Sequence, residues 1–225
     1  MNALSPAEAY RIWAPTYSSE TAVSQIEDEL VAAITPPLDG LRLLDAGCGT
    51  GRRLAGTTAA EAVGVDLSPE MLDAGIGRSG STPPVRGIVG DIRALPLPDR
   101  SFDVVWCRLA IGHVRSCVDV YAELARVARR GARVIVSDFH PAAHAAGHRR
   151  TFRAEGRVRE VRHYVHDAAT QLAAAADAGL ESVGIDEGCV GPSVRHFYTA
   201  RGADDRYREQ QGLPVVLVLS FRRSD

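Results

Sequence analysis

The chain has 225 residues, 45% of them hydrophobic, which is enough apolar material for one sizeable core, so a single domain over residues 1–225 is expected. Twenty-six basic side chains against twenty-eight acidic ones leave a formal net charge of −2, which supplies no global field for nucleic acid and argues against such a partner. No stretch approaches the roughly 20 apolar residues of a membrane span, and residues 1–6 lack the charged-then-apolar pattern of a secretory signal, so a cytoplasmic protein is expected with no membrane partner.

Residues 6–34 read as two helices broken near Pro15 and closed by Pro36-Pro37, so residues 1–37 are expected to form a helical cap over a site. Across residues 40–140 short apolar runs at 41–44, 62–65, 85–89, 102–106 and 133–136 alternate with helical stretches. That rhythm predicts an α/β fold, a Rossmann-like doubly wound parallel sheet with helices on both faces. Ser68 before Pro69 marks a helix start, and a helix over 118–128 stops before Gly131. Residues 141–225 read as acceptor-side insertions and C-terminal strands. Within them 151–166 suggests a hairpin turning at Glu155-Gly156, and 170–178 an alanine-rich helix. Strands over 182–189 and 214–221 bring the sheet to about seven, the last antiparallel. Ligands of such sheets bind beyond the carboxyl ends of the strands, which points to residues 45–51, 66–68, 91, 107–109 and 137–140.

Leu43-Leu44-Asp45-Ala46-Gly47-Cys48-Gly49-Thr50-Gly51 is the most telling of these: a buried apolar run, an acid, then three glycines at alternate positions opening an expected helix. Glycines at such a turn permit positive φ and let a ligand approach the backbone, so the stretch is either a ligand cradle or a plain tight turn. Its spacing is not the GxGxxG of dinucleotide enzymes. Asp66, twenty-one residues after Asp45, ends the second strand, where a carboxylate either accepts hydrogen bonds from ribose hydroxyls or caps the next helix. Asp91 follows the third strand and precedes Ala94-Leu95-Pro96-Leu97-Pro98-Asp99-Arg100-Ser101-Phe102-Asp103-Val104-Val105.

With that ordered set of motifs, residues 41–138 resemble the class I S-adenosylmethionine (SAM) methyltransferases, particularly their small-molecule and quinone-type group. The phrase from Tyr10 to Tyr17 resembles the aromatic N-terminal segment of the same group and adds Tyr17 to the cofactor set. The resemblance implies that Gly47, Gly49 and Gly51 flank the methionine moiety, Asp45 supports its ammonium, and Asp66 holds the ribose. It also implies that Asp91 meets the adenine amine, that Leu67, Met71 and Ile92 pack on the ring, and that the backbone near Cys107 faces the methionine end; the Cys107 side chain reads equally as a small core residue.

Methyl transfer needs an aligned nucleophile within about 3–3.5 Å, and a general base only when the acceptor is protonated. His140, directly after the fifth strand, is the first candidate base, with a turn role before Pro141 as its alternative; His163 is the second. His113 reads as a packing or capping residue. The four cysteines, Cys48, Cys107, Cys117 and Cys189, form no CxxC pair, and Pro141 and Gly147 interrupt the helix that would align His140, His144 and His148, so no metal is expected. Every basic side chain is arginine, which excludes lysine chemistry. The arginines of 149–162 read as an anion site or a solvated face. Tyr10, Trp13, Tyr17, Phe139, Tyr164, Phe197 and Tyr198 read as an aromatic wall for a planar acceptor or as core.

The expected activity is therefore SAM-dependent transfer of a methyl group to oxygen, nitrogen or carbon of a small organic acceptor. Two alternatives stay open: a carboxyl methyltransferase acting on a carrier-linked acid, and a SAM-binding protein with a structural, regulatory or cyclase role. The oligomeric state is not legible.

Overall fold

A computed structural model describes residues 3–17, 20–75 and 85–224. In chain order the strands are β1 (Arg42–Ala46), β2 (Glu61–Asp66), β3 (Val85–Val89), β4 (Phe102–Arg108), β5 (Ala128–Phe139), β6 (Thr151–Ala154), β7 (Arg157–Glu160), β8 (Leu180–Cys189) and β9 (Pro214–Arg223). Seven of them form one sheet in the order β3-β2-β1-β4-β5-β9-β8. β3, β2, β1, β4 and β5 run parallel, and β9 is antiparallel to both its neighbours. The central strands are buried on both faces, which is why β4 reads as a continuous apolar run, Val104-Val105-Trp106-Cys107, rather than an alternating one.

The helices are α1 (Pro6–Trp13), α2 (Ala22–Ile34), α3 (Pro69–Ala74), α4 (Val118–Val127), α5 (Pro141–Ala145), α6 (Ala168–Asp177), α7 (Arg195–Thr199) and α8 (Asp204–Gln210). One face of the sheet packs Val105, Val134 and Leu219 under α4 and α6, through Tyr121, Leu124 and Ala175. The other face packs Leu43, Val104 and Val216 against Ile26 and Val31 of α2.

Two expectations are corrected here. No helix follows the glycine stretch: residues 52–56 are turns, bracketed by Gly51 at φ 69° and Gly56 at φ 77°, and so short a segment between two left-handed residues cannot propagate a helix. The N-terminal region is also not one cap. α2, held at its start by a Thr21–Ser24 capping box, is a layer of the core lying against β9, β8 and β5.

Among the described N-terminal residues, α1 and Tyr17 cover the site, and from α2 only its start, at Thr21, Val23 and Ser24, reaches it. α1 and Tyr17 do so together with the β6–β7 hairpin, which turns at Glu155-Gly156 as its sequence predicts. Leu4 bridges to Val161, its N–H donating to Glu160 O and its carbonyl accepting from Arg162 N. Ala9, Phe152 and Val161 form a small core of their own, into which Leu4, Ile12 and Trp13 pack. Trp13 stacks on Phe152 with ring centroids 4.9 Å apart. α1 and the hairpin thus make one lid with a hydrophobic interior separate from the two main clusters.

Candidate active site

Beyond the carboxyl ends of β1, β2 and β4, beneath this lid, lies a cavity of about 590 Å³, within the usual range for small-molecule sites. Of the expected cofactor residues, Gly47, Gly49, Asp66 and Asp91 line it, as do Tyr17, Leu67, Met71 and Ile92. Asp45, Gly51 and Cys107 do not, and neither do the candidate bases His140 and His163.

The glycine stretch wraps the end of β1. Gly47, at φ 85°, donates its N–H to Val65 O at 2.7 Å, and a Cβ added there would fall 2.4 Å from the Ala110 Cβ. Only glycine lets the loop come this close to the backbone after β4. The Gly49 N–H donates to Asp66 Oδ2 at 2.7 Å and the Ser68 N–H to Asp66 Oδ1 at 2.9 Å. The cap of α3 is Ser68, whose hydroxyl accepts from Met71 N, so Asp66 is not the helix cap; it joins the loop to the turn and keeps lone pairs on the cavity side. Burial raises its pKa, against the lowering by these backbone donors. Gly51 closes the loop through its N–H to Cys48 O.

Asp45 has no exposed surface, and among the described residues neither carboxylate oxygen has a hydrogen-bond partner. Burial pushes its pKa up to about 6, opposed by the charges of Arg53 and Arg108. An orphaned carboxylate behind a glycine loop fits a missing cationic partner, reached directly or through water. Asp91 is held by Arg93, which reaches Oδ1 at 3.0 Å and Oδ2 at 2.6 Å and lowers its pKa; Arg93 also lines the cavity, and no motif announced it.

Cys107 is fully buried, its thiol pKa raised by desolvation. The chain reaches the cavity one to three residues further on, at Arg108, Leu109 and Ala110. Leu109 sits at φ 53°, a left-handed conformation that costs a non-glycine residue about 1–3 kcal/mol, and its N–H is held by Ser137 O at 3.0 Å.

Sequence reading missed the buried ionic cluster behind the loop. Glu27, with no exposed surface, accepts from Arg108 Nε and Nη2 at 2.8 and 2.9 Å, from Arg53 Nη2 at 2.9 Å and from Ser137 Oγ at 2.6 Å. Asp28 takes Arg108, Arg53 and Arg52 at 2.7, 2.8 and 2.7 Å. Burial alone would raise the Asp28 pKa, but these guanidinium groups outweigh it and lower it. The available signal was a Glu-Asp pair inside the otherwise apolar inner face of α2. Arg53 and Arg108 both present to the cavity.

On the lid side Tyr10, His113 and Arg150 meet. Arg150 Nη1 lies 2.7 Å from His113 Nε2, 3.1 Å from Tyr10 Oη and 2.9 Å from Leu109 O, and Tyr10 Oη lies 2.9 Å from His113 Nε2. Because arginine only donates, Nε2 is the accepting nitrogen, and Nδ1, facing Arg162 O at 3.4 Å, carries the proton. Burial, then the Arg150 charge, depress the His113 pKa well below its ordinary value.

His140 serves as the N-cap of α5, Nδ1 accepting from Ala142 N at 3.0 Å and Nε2 donating to Glu187 Oε1 at 3.2 Å, so both ring nitrogens are occupied away from the cavity. This is a turn role. His163 Nε2 lies 3.2 Å from Asp138 Oδ1, packed beside Gly112, where a Cβ would come 2.1 Å from that nitrogen. α5 ends at Ala145, so His144 and His148 do not share a helix face. Tyr10, Trp13, Tyr17, Phe139 and Tyr164 do line the cavity, whereas Phe197 and Tyr198 pack on the core beside α2.

A family profile described as a methyltransferase domain matches residues 44–136. Malonyl-[acyl-carrier protein] O-methyltransferase of Dechloromonas aromatica is 30% identical over 235 aligned positions, covering 90% of this chain and 87% of that enzyme. The chain belongs to the SAM-dependent methyltransferases. A SAM-dependent methyltransferase structure from Mesorhizobium loti shares the fold at a TM-score of 0.70 and 24% identity, covering 90% of this chain and 100% of that one. The [4+2]-cyclase SpnF shares it at a TM-score of 0.65 and 20% identity, over 93% of this chain and 85% of that one. Both likenesses concern the fold alone, and the second shows that the fold also serves chemistry other than methyl transfer. As a methyltransferase, the chain uses SAM as the donor, and a glycine cradle beside an unpaired buried carboxylate suits that cofactor's ammonium-bearing end.

Proposed function

We propose that this methyltransferase acts on a small organic acceptor bound beneath the α1–hairpin lid, and that the acceptor brings its own ionised or neutral-amine nucleophile rather than relying on a protein base. The observation that carries this is the state of the lining groups. Both Asp66 oxygens take backbone N–H groups, Asp91 is paired with Arg93, the His113 Nε2 lone pair is shared by Arg150 and Tyr10, and burial keeps Cys48 a thiol. A base needs a lone pair free for the acceptor: His113 Nε2 is shared, the Asp91 carboxylate is paired, Cys48 is a thiol, and the lone pairs that Asp66 keeps beside Gly49 are assigned to the ribose.

SAM, when bound, supplies an electrophilic methyl on a sulfonium. Gly47 and Gly49 give its methionine end access to backbone, Asp45 balances the ammonium, and Arg53 and Arg108, fixed by Glu27, face the carboxylate. Asp66 accepts from the ribose, Asp91 from the adenine amine, and Leu67, Met71 and Ile92 pack on the ring. The lid excludes water from the acceptor, with Tyr10, Trp13, Tyr17 and Tyr164 as its aromatic lining. Four free cysteines suit a reducing cytoplasm.

A carrier-linked acid is the second reading, favoured by the relative that spans 90% of the chain and by the fact that a carboxylate is already ionised at neutral pH. The pH–rate profile tests the proposal. With an acceptor identified by label transfer, the break in kcat should follow the acceptor's own pKa and persist in His113→Gln, His140→Ala and His163→Gln. Disappearance of the break in one of these variants would make that histidine the base.

A further inference from the structure

The lid carries a cation whose bonding capacity is half used. All three hydrogen bonds of Arg150 leave from Nη1, and they fix the guanidinium against Tyr10, His113 and the strained Leu109 carbonyl. Among the described residues no acceptor reaches Nε or Nη2, and Arg150 is one of the residues that line the cavity. Those two nitrogens form the edge of a guanidinium that matches a carboxylate bidentately.

The surroundings leave that edge for a ligand. The carboxylates of Glu27, Asp28 and Asp91 are taken by Arg53, Arg108, Arg52 and Arg93, Asp66 is held by backbone N–H groups, and Asp138, whose charge acts on Arg150, bonds Phe139 N–H and His163 through Oδ1 and makes no hydrogen bond to the guanidinium among the described residues. Arg115, Arg149 and Arg162 also line the cavity and form no ion pair among the described residues; Arg149 donates only to the His144 and His148 carbonyls. The acceptor end of the cavity is therefore electropositive and aromatic together.

We propose that Arg150 docks a carboxylate of a planar, aromatic acceptor, and that this carboxylate is not the group that receives the methyl. The inference rests on the lid-covered acceptor site described above. Its second half follows from charge: a carboxylate becomes neutral when methylated, so a guanidinium paired with the reacting carboxylate would hold the ground state more tightly than the transition state. A guanidinium paired with a retained carboxylate stabilises both equally and serves selection and placement. Arg150 is thus a specificity residue, and Tyr10 and His113 position it.

Calorimetric titration of the protein loaded with S-adenosylhomocysteine, using benzoate and its neutral isostere benzamide at low ionic strength, tests this. Benzoate should bind roughly ten-fold more tightly, as a charge-assisted pair gives, and added salt should narrow the gap. Arg150→Met should abolish the gap while S-adenosylhomocysteine affinity stays unchanged. Equal affinity of the two probes for the wild-type protein overturns the proposal whatever the variant does, so the wild-type pair decides even if the variant fails to fold. A gap that survives in Arg150→Met overturns it as well. Malonyl-pantetheine, whose single carboxylate rides on a carrier-like thioester, forms the other arm: an alkali-labile methyl ester made from it would show that the docked anion is the methylated group and overturn the second half. Absence of the benzoate preference in the wild-type protein with S-adenosylhomocysteine binding intact defeats this inference alone, whereas failure of the wild-type protein to bind S-adenosylhomocysteine defeats the reading beneath it.

Discussion

Asp66 and Asp45 are both buried carboxylates near one loop, yet their partners give them different consequences. Asp66 is tied by two backbone N–H groups and still faces the cavity, so Asp66→Ala should weaken SAM binding by about 1.5–3 kcal/mol, the worth of a hydrogen bond to a charged group. Calorimetry checks this, and unchanged affinity would remove the ribose assignment. Asp45 has no hydrogen-bond partner among the described residues, and burial raises its pKa from 3.8 to about 6. A folded-state pKa above the unfolded one means that the folded protein binds the extra proton, so the contribution is fully present below about pH 4 and disappears as pH rises through 6. Two pKa units correspond to about 3 kcal/mol. Cofactor-free wild-type protein should therefore lose stability relative to Asp45→Asn between about pH 4 and 6. Parallel denaturation midpoints for the two proteins across that range would show that Asp45 has a partner in solution.

α2 shows how an element can read correctly and be placed wrongly. Its apolar spacing and capping box mark a helix, but nothing local says whether it packs on a lid or on the sheet. Glu27 and Asp28 decide, because they fasten the helix to Arg53 of the glycine loop and Arg108 at the end of β4. Removing one member of a buried ion pair leaves the others uncompensated, and Glu27 faces two guanidinium groups. Glu27→Ala should destabilise the protein by about 3–5 kcal/mol in urea unfolding; a loss under about 1 kcal/mol, the level of an exposed pair, would contradict the structural role. The same distinction explains the helix expected after Gly51. The glycine pattern specified a backbone that approaches a ligand, which is present, but Gly56 ends any helix after a single turn, the one closed by the Ala55 N–H on Gly51 O. The hairpin at Glu155-Gly156 was legible because a turn is a local event, whereas its union with α1 through Leu4, Phe152 and Trp13 joins residues about 150 positions apart.

At the scale of the whole molecule, the alternation of apolar runs and helices carried the seven-stranded sheet, its parallel core and its antiparallel return, because strands buried on both faces leave an unmistakable composition. The part of the cavity lining at the strand ends was legible for a related reason: its residues fall in contiguous phrases. Gly47, Gly49, Asp66, Leu67, Met71, Asp91 and Ile92 all line the cavity. The acceptor side was not. His140 follows a strand end as a base should, yet Pro141 starts a helix there and turns the imidazole into its cap. Arg150 is anonymous among its neighbours in sequence until folding places it against Tyr10 and His113.

The central claim is that these two halves enclose one methyl-transfer site. Incubation with SAM labelled in the methyl group and pooled small organic acceptors, followed by chromatography, tests it most directly. The account predicts label in an acceptor with one S-adenosylhomocysteine released per methyl moved. Tight SAM binding with no label transferred to oxygen, nitrogen or carbon acceptors would contradict it, and would leave a protein that keeps the cofactor for another purpose.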